Sequence, residues 1–215
     1  MFKNRKDAAL QLAKALEKYK GDDPLVLGIP RGGAETAYYV AQGLQAEMGL
    51  VISRKLGHPQ NPEFAIGAIA EDGSIYLSPY ASSDVSELEL EKIKKEQQAE
   101  INSRIQRFRN GKPLPELKNR TVIIVDDGIA TGSTLMATIM LCRNKMAKKI
   151  VVGTPVSSRE MATKLQSLVD DSIILEVPYP YHAVSQVYGE FNNLEDQEAV
   201  KFLLAWEKDK DKKSK

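Results

Sequence analysis

Thr121-Val122-Ile123-Ile124-Val125-Asp126-Asp127-Gly128-Ile129-Ala130-Thr131-Gly132-Ser133-Thr134-Leu135-Met136 decides the fold of this chain. Val122 to Val125 is β-branched throughout, and such a run reads as a strand buried on both faces. Two carboxylates follow, then small and hydroxyl residues, and an apolar helical pattern opens at Leu135. A strand that ends in acids and turns through small residues into a helix is suited to hold phosphate. The free N–H groups and positive dipole end of the helix face the turn. In an open α/β sheet that turn lies at the carboxyl edge, where ligands bind. Two familiar phosphate loops do not match. The Gly128 to Gly132 spacing is one residue short of a Walker A loop, and Ser133 stands where its Lys belongs. A dinucleotide-binding turn needs Gly-x-Gly-x-x-Gly, without two acids before it. A Rossmann-like turn with Asp127 as a helix cap explains one acid and leaves the other unexplained.

Outward from this stretch, strand and helix patterns alternate. An amphipathic helix is expected over Lys6 to Tyr19, with Leu10, Leu12, Ala13 and Leu16 on its apolar side. Leu25 to Ile29 reads as a strand, Ala34 to Glu47 as a helix and Leu50 to Arg54 as the next strand. Leu56 to Phe64, with Gly57, Pro59 and Pro62, reads as a loop. Ala65 to Ala70 and Ser74 to Leu77 read as strands joined by a Glu71-Asp72-Gly73 turn. Asp84 to Asn110 reads as a long charged helix, its stripe including Val85, Leu88, Ile93, Ile101, Ile105 and Phe108. That stripe packs on the domain or forms a homodimer contact. Leu135 to Met146 and Glu160 to Leu168 read as helices, and Lys149 to Pro155 and Ile173 to Val177 as strands. Leu194 to Trp206 closes the pattern, and Glu207 to Lys215 reads as a frayed charged tail. The fold class expected is α/β: a doubly wound, mainly parallel sheet with a hairpin and long-helix insertion. The domain expected is 1–206, with 57–115 as lid, hairpin and helical insertion.

The 215 residues carry 30 Lys and Arg against 29 Asp and Glu, a net charge of +1. A whole-protein field for nucleic acid is therefore absent, and nucleic acid is not the expected partner. The lone Cys142 excludes an intrachain disulfide and a Cys-based zinc site; it reads as a buried small hydrophobe. No leader pattern opens the chain and no apolar run is of bilayer length, so a cytoplasmic protein with no membrane partner is expected.

Val122 to Thr134 resembles the phosphoribosyl diphosphate (PRPP) signature of type I phosphoribosyltransferases: a hydrophobic strand, two acids, then Thr-Gly-x-Thr. The likeness runs from Leu25 to Tyr188. Pro30-Arg31-Gly32-Gly33, Arg54-Lys55-Leu56-Gly57 and Asn61-Pro62-Glu63 are similar to a functionally uncharacterised bacterial branch of that family. The resemblance implies that Asp126 and Asp127 hold the ribose hydroxyls. It implies that Thr131, Gly132, Ser133 and Thr134, with Gly128 and Ala130 in the same loop, cradle the 5′-phosphate. Arg31, Gly32, Gly33, Arg54 and Lys55 would hold the diphosphate, and Asp126, Asp127, Lys55 and Arg31 form the implied catalytic set. The residues suit these tasks. Carboxylates only accept hydrogen bonds and match vicinal hydroxyl donors, and Arg offers a planar fork to phosphate oxygens. Mg²⁺ is the implied cofactor. With no protein cluster to ligate it, it is expected to arrive on PRPP. Leu56 to Phe64 stands where type I enzymes carry a mobile lid.

Tyr181 and His182, after the last strand, are candidate contacts to a small-molecule acceptor, expected to be a nitrogenous base; packing under a rigid loop is the other reading. Enzymes of the hypoxanthine–guanine branch usually carry an Asp where this chain has Ala130, and adenine-specific relatives often carry Ala. The alternative to catalysis is a PRPP- or nucleotide-sensing regulator, with Lys92, Lys94, Lys95, Arg104, Arg107 and Arg109 as a basic face for RNA.

Overall fold

The computed structural model describes residues 1–79 and 85–213. In chain order the elements are α1 (Arg5–Ala15), a 3₁₀ segment (Glu17–Asp22), β1 (Leu25–Gly28), α2 (Gly32–Leu44), β2 (Glu47–Leu50), β3 (Ser53–His58), β4 (Asn61–Ala70) and β5 (Ile75–Leu77). Then come α3 (Glu87–Arg109), β6 (Thr121–Val125), α4 (Ser133–Asn144), β7 (Lys149–Val156), α5 (Arg159–Leu168), β8 (Asp171–Glu176), a second 3₁₀ turn (Val184–Val187) and α6 (Asp196–Lys213).

All five residues of β6 are buried, as its β-branched sequence requires. It is the middle strand of a parallel sheet ordered β2-β1-β6-β7-β8. Successive side chains alternate between two cores. Val26, Ile123, Val125 and Val151 meet Leu12 of α1, Ala37 and Val40 of α2, and Leu203 of α6. Leu25, Leu27, Val122, Ile124 and Val152 meet Leu135 and Ile139 of α4 and Leu165 of α5. Burying each such side chain contributes about 1.5–3 kcal/mol. The sheet is doubly wound, with helices on both faces. Cys142 lies in the second core, and burial pushes its thiol up to about 12.

The sequence suggests one strand over Leu50 to Arg54, but the chain changes sheets there. The Val51 amide still donates to Gly28 of β1, whereas Ile52 donates to the Glu71 carboxylate and accepts from the Glu71 amide. β3 then opens a separate antiparallel sheet, β3-β4-β5. Leu56 to Phe64 is correspondingly not a loop. β3 runs to His58 and β4 starts at Asn61, with Pro59 and Gln60 as the turn and a register shift at Gly57. Gly57 is required at that crossing, since a Cβ there would lie 2.5 Å from the Pro62 carbonyl.

α3 opens with a Ser86–Glu89 capping box, a signal present in the sequence; the expected start at Asp84 falls outside the described residues. Its Ile101 and Phe108 are buried, but Leu88 is 84% exposed and leaves the stripe. Arg109 at its C-terminus donates to Glu71 at 2.7 Å, a buried pair joining helix to small sheet. Other helix expectations change as well. The helix expected over Ala34 to Glu47 is α2, Gly32–Leu44, and Glu47 opens β2 after the left-handed Gln45 ends the helix. α1 starts at Arg5 and ends at Ala15, and Leu10 is 47% exposed. α4 begins at Ser133, two residues before its apolar pattern. α6 continues past Trp206 to Lys213, because a helix can carry solvated charge on an unpacked face.

Candidate active site

The strand order reverses between β1 and β6. β1 leads through α2 to β2 on one side, and β6 leads through α4 and α5 to β7 and β8 on the other. Gly28 pairs with Val125, so the carboxyl ends of the two strands are level. The crevice beyond such a switch point is where open α/β sheets bind ligands. Pro30 to Gly33 leaves β1 there and Asp126 to Ser133 leaves β6.

The two turns are in contact. A Cβ on Gly32 would lie 1.8 Å from Asp127 Oδ2, and one on Gly33 would lie 2.9 Å from the Val125 carbonyl and 3.1 Å from Asp126 Oδ1. The paired glycines therefore let the first turn of α2 close onto the acids. The Pro30–Arg31 peptide is cis, and Arg31 is exposed.

Asp126 Oδ1 accepts from the Asp127 amide at 2.9 Å. Burial, then the Asp127 charge, push the Asp126 carboxyl well above the usual carboxylate range, against the pull of Arg5. Asp127 is held from three sides. Arg5 Nε donates to its Oδ2 at 2.7 Å, with both side chains largely buried. The Tyr188 hydroxyl donates to its carbonyl at 2.6 Å, and Gly32 abuts its carboxylate. Arg5 and Tyr188 have no local signal in the sequence, because each reaches Asp127 only through the tertiary fold.

The loop then runs through Gly128, where a Cβ would meet Val184 at 2.3 Å. Ile129 donates to Val156 and accepts from the Ser158 amide, fixing the loop to β7 and the entry of α5. Ala130 and Thr131 are exposed. Gly132, at φ 71°, precedes α4, whose first residues Ser133 and Thr134 have no side-chain cap on their N–H groups. Gly132 needs that left-handed conformation, and a Cβ there would also press on Met161.

Thr134 and Pro30 open onto a cavity of about 510 Å³ that Ser53, Arg54, Lys55, Gly57 and His58 also line, together with Gln97 and Arg104 of α3. Of the cations expected at the diphosphate, Arg54 and Lys55 thus share a cavity with Pro30 and Thr134 of the two turns, and Arg31 does not line it. They differ in freedom. Arg54 Nε donates to Gln97 at 3.0 Å, and burial and Arg104 draw its pKa down. Lys55 is exposed. Tyr181 and His182 lie outside this cavity and part company. Tyr181 packs against the Phe2–Tyr188 cluster with its hydroxyl buried and unpartnered, whereas His182 is exposed and its amide donates to Gln186. Among the described residues no cluster of three metal-ligating side chains occurs, and no helix is long and apolar enough to cross a membrane.

Residues 3–181 match the sequence model of the phosphoribosyl transferase domain. The chain belongs to the phosphoribosyltransferase family. It is 37% identical over 205 residues to proteins of two Mycobacterium tuberculosis strains, each provisionally named a phosphoribosyl transferase. That alignment covers 94% of this chain and 46% of theirs, so the chain spans less than half the length of those relatives. The crystal structure of TT1426 from Thermus thermophilus superposes with a TM-score of 0.83 at 36% identity, covering 96% of this chain and 99% of that one.

Proposed function

We propose that this protein binds PRPP with Mg²⁺ and transfers its phosphoribosyl group to a nitrogenous base or related acceptor. The carrying observation is the Asp126–Asp127 pair at the end of the central strand, against the glycine turn after β1 and joined by the 128–132 loop to the uncapped N-terminus of α4. Carboxylates there accept hydrogen bonds from the ribose hydroxyls. The α4 amides and the Thr131 and Thr134 hydroxyls receive the 5′-phosphate. The diphosphate extends toward Arg31, Arg54 and Lys55, the last two lining the cavity. The bond from C1 to the diphosphate oxygen breaks with its electron pair on that oxygen, and an acceptor nitrogen forms the new bond to C1. Lys55 and Arg54 meet the charge that develops on the leaving group. Mg²⁺ is part of the substrate here, carried on PRPP oxygens, and supplies charge neutralisation.

Calorimetry with PRPP and Mg²⁺, followed by a diphosphate-release assay across a panel of bases, tests this reading. Binding together with release of diphosphate for at least one base is expected. Absence of PRPP binding overturns the site, and binding without release for any base leaves a sensor as the function.

A further inference from the structure

The Arg5 side chain is fixed by contacts at its Nε, at its Nη1 and on its guanidinium face. Its Nε donates to Asp127 Oδ2 at 2.7 Å, its Nη1 donates to the Asn192 carbonyl at 2.6 Å, and the guanidinium lies 3.9 Å from the centre of the Phe191 ring. Its backbone is equally constrained, since it is the first residue of α1 and Asn4 caps that helix by accepting from Asp7. Just before it, the Phe2 amide donates to Val187, while Phe2 and Lys3 carbonyls accept from Gly189 and Glu190. The same 187–190 strap carries Tyr188, whose hydroxyl holds the Asp127 carbonyl. Arg5 of α1 and Tyr188 of the strap thus close on one acid from two sides.

We infer that Arg5 is a positioning residue for ribose recognition, fixing the Asp127 carboxylate so that Oδ2 is committed to Arg5 and Oδ1 is presented to a ribose hydroxyl. A free Asp side chain turns about two bonds, and orienting it costs conformational entropy on binding. Here the guanidinium has settled that orientation before the ligand arrives. Stacking on Phe191 and the Asn192 carbonyl keep the guanidinium itself from swinging toward phosphate. Arg5 therefore acts through Asp127 and not on the diphosphate, unlike Arg31 and Arg54. This inference rests on the proposed PRPP site.

The test is the affinity of ribose 5-phosphate relative to its 2-deoxy and 3-deoxy analogues, by calorimetry, in the wild type, Arg5→Met, Arg5→Lys and Phe191→Ala. The wild type is expected to prefer ribose 5-phosphate over at least one analogue by about tenfold, the lower range for a hydrogen bond to a charged group. Arg5→Met brings that ratio close to one, Arg5→Lys restores part of it, and inorganic phosphate affinity stays put in both. Phe191→Ala, which loosens the guanidinium without removing it, lowers the ratio and covers the case in which Arg5→Met does not fold. A lowered melting temperature with the full ratio retained in the variants overturns the inference and makes the ion pair a structural tie between α1 and the loop after β6. A wild type that shows no preference between the sugars overturns the ribose role of the acids, and the inference with it.

Discussion

The acid end and the cation end of the cleft are built differently. Asp126 and Asp127 are wedged among Gly32, Gly33, Arg5 and Tyr188. Lys55 and His58 stand on β3 near the hairpin turn, with Lys55 exposed and residues 59–64 of the turn and of β4 exposed beside them. Preorganised dipoles and charges cost little reorganisation when a ligand arrives, whereas an exposed lysine on a solvated hairpin must be ordered by it. The structure thus separates a fixed half, which the proposed function gives to the sugar, from an open half, which it gives to the charged leaving group.

The largest effect expected is on the fixed half. Asp126→Ala with Asp127→Ala removes both proposed ribose acceptors, and each charge-assisted hydrogen bond contributes about 1.5–3 kcal/mol. PRPP affinity measured by calorimetry with Mg²⁺ should fall by at least about a hundredfold. Unchanged affinity in the double variant would dissolve the contrast between the two ends.

Gly32→Ala probes the same half without touching an acid. The added Cβ sits 1.8 Å from Asp127 Oδ2, so either α2 or the carboxylate must shift. Overpacking of this kind costs about 1–3 kcal/mol. Chemical denaturation should show that loss, and PRPP affinity should fall with it. A neutral outcome in both would mean that the two turns are not tightly joined.

Asp126 gives the fixed half a pH signature. Burial, with the Asp127 charge, raises its folded-state pKa, and Arg5 only partly offsets this. A group raised above its unfolded value favours the fold fully below the unfolded pKa, and that advantage is lost as pH rises through the folded pKa. At neutral pH, above the unfolded pKa, burying this carboxyl is therefore a cost to stability. Asp126→Asn should raise the melting temperature at pH 7, by about 2–4 °C for each kcal/mol regained, with the gain shrinking toward pH 3. It should weaken PRPP binding at the same time. A variant that is less stable at pH 7 than at pH 3, relative to wild type, contradicts this account.

How much of this is legible in the sequence depends on the range of the interaction involved. Val122 to Val125 announces a central strand because burial on both faces leaves its mark in four successive residues, and the acids and small residues after it mark the turn. The sheet change at Val51–Ile52 is invisible, because Leu50 to Ile52 is one apolar run and only the hydrogen-bond partners, Gly28 and then Glu71, divide it. The hairpin over Ser53 to Ala70 hides behind Pro59 and Pro62, which read as loop residues yet sit at a turn and in an exposed strand end. Arg5 reads as one more surface cation just ahead of an amphipathic helix. Its partner lies 122 residues away, and no local pattern encodes that pairing.

The open half makes a dynamic prediction of smaller size. Amides of residues 57–64 should exchange readily in the free protein and gain protection with PRPP and Mg²⁺, while those of β6, already buried, change little. Hydrogen exchange followed by mass spectrometry reads both segments in one experiment. Equal protection of the hairpin with and without ligand would remove its role as a lid and leave it a rigid wall of the cavity.

The smallest effect belongs to Ala130, between the two halves. Its side chain is a methyl, exposed on the loop, and its carbonyl accepts from the Ser158 hydroxyl at 3.4 Å. Enzymes of the hypoxanthine–guanine branch usually carry an Asp at this position as a proton partner for the purine ring, and this chain departs from them. A methyl neither gives nor takes a proton, and a general acid–base group typically contributes 10²–10⁴-fold in rate, about 3–5 kcal/mol of barrier. Hypoxanthine and guanine are therefore expected to be turned over poorly or not at all. Ala130→Asp changes an exposed position whose backbone tie is unaffected by the side chain, so PRPP affinity should stay within about threefold of wild type, as surface substitutions usually do. Steady-state assays with the two 6-oxopurines, alongside PRPP calorimetry on the variant, separate acceptor chemistry from PRPP recognition. Wild-type turnover of either base in the usual enzyme range of about 1–10³ s⁻¹ would show that the proton partner comes from elsewhere on the cleft. A large loss of PRPP affinity in Ala130→Asp would place Ala130 against the phosphate and enlarge the fixed half by one residue.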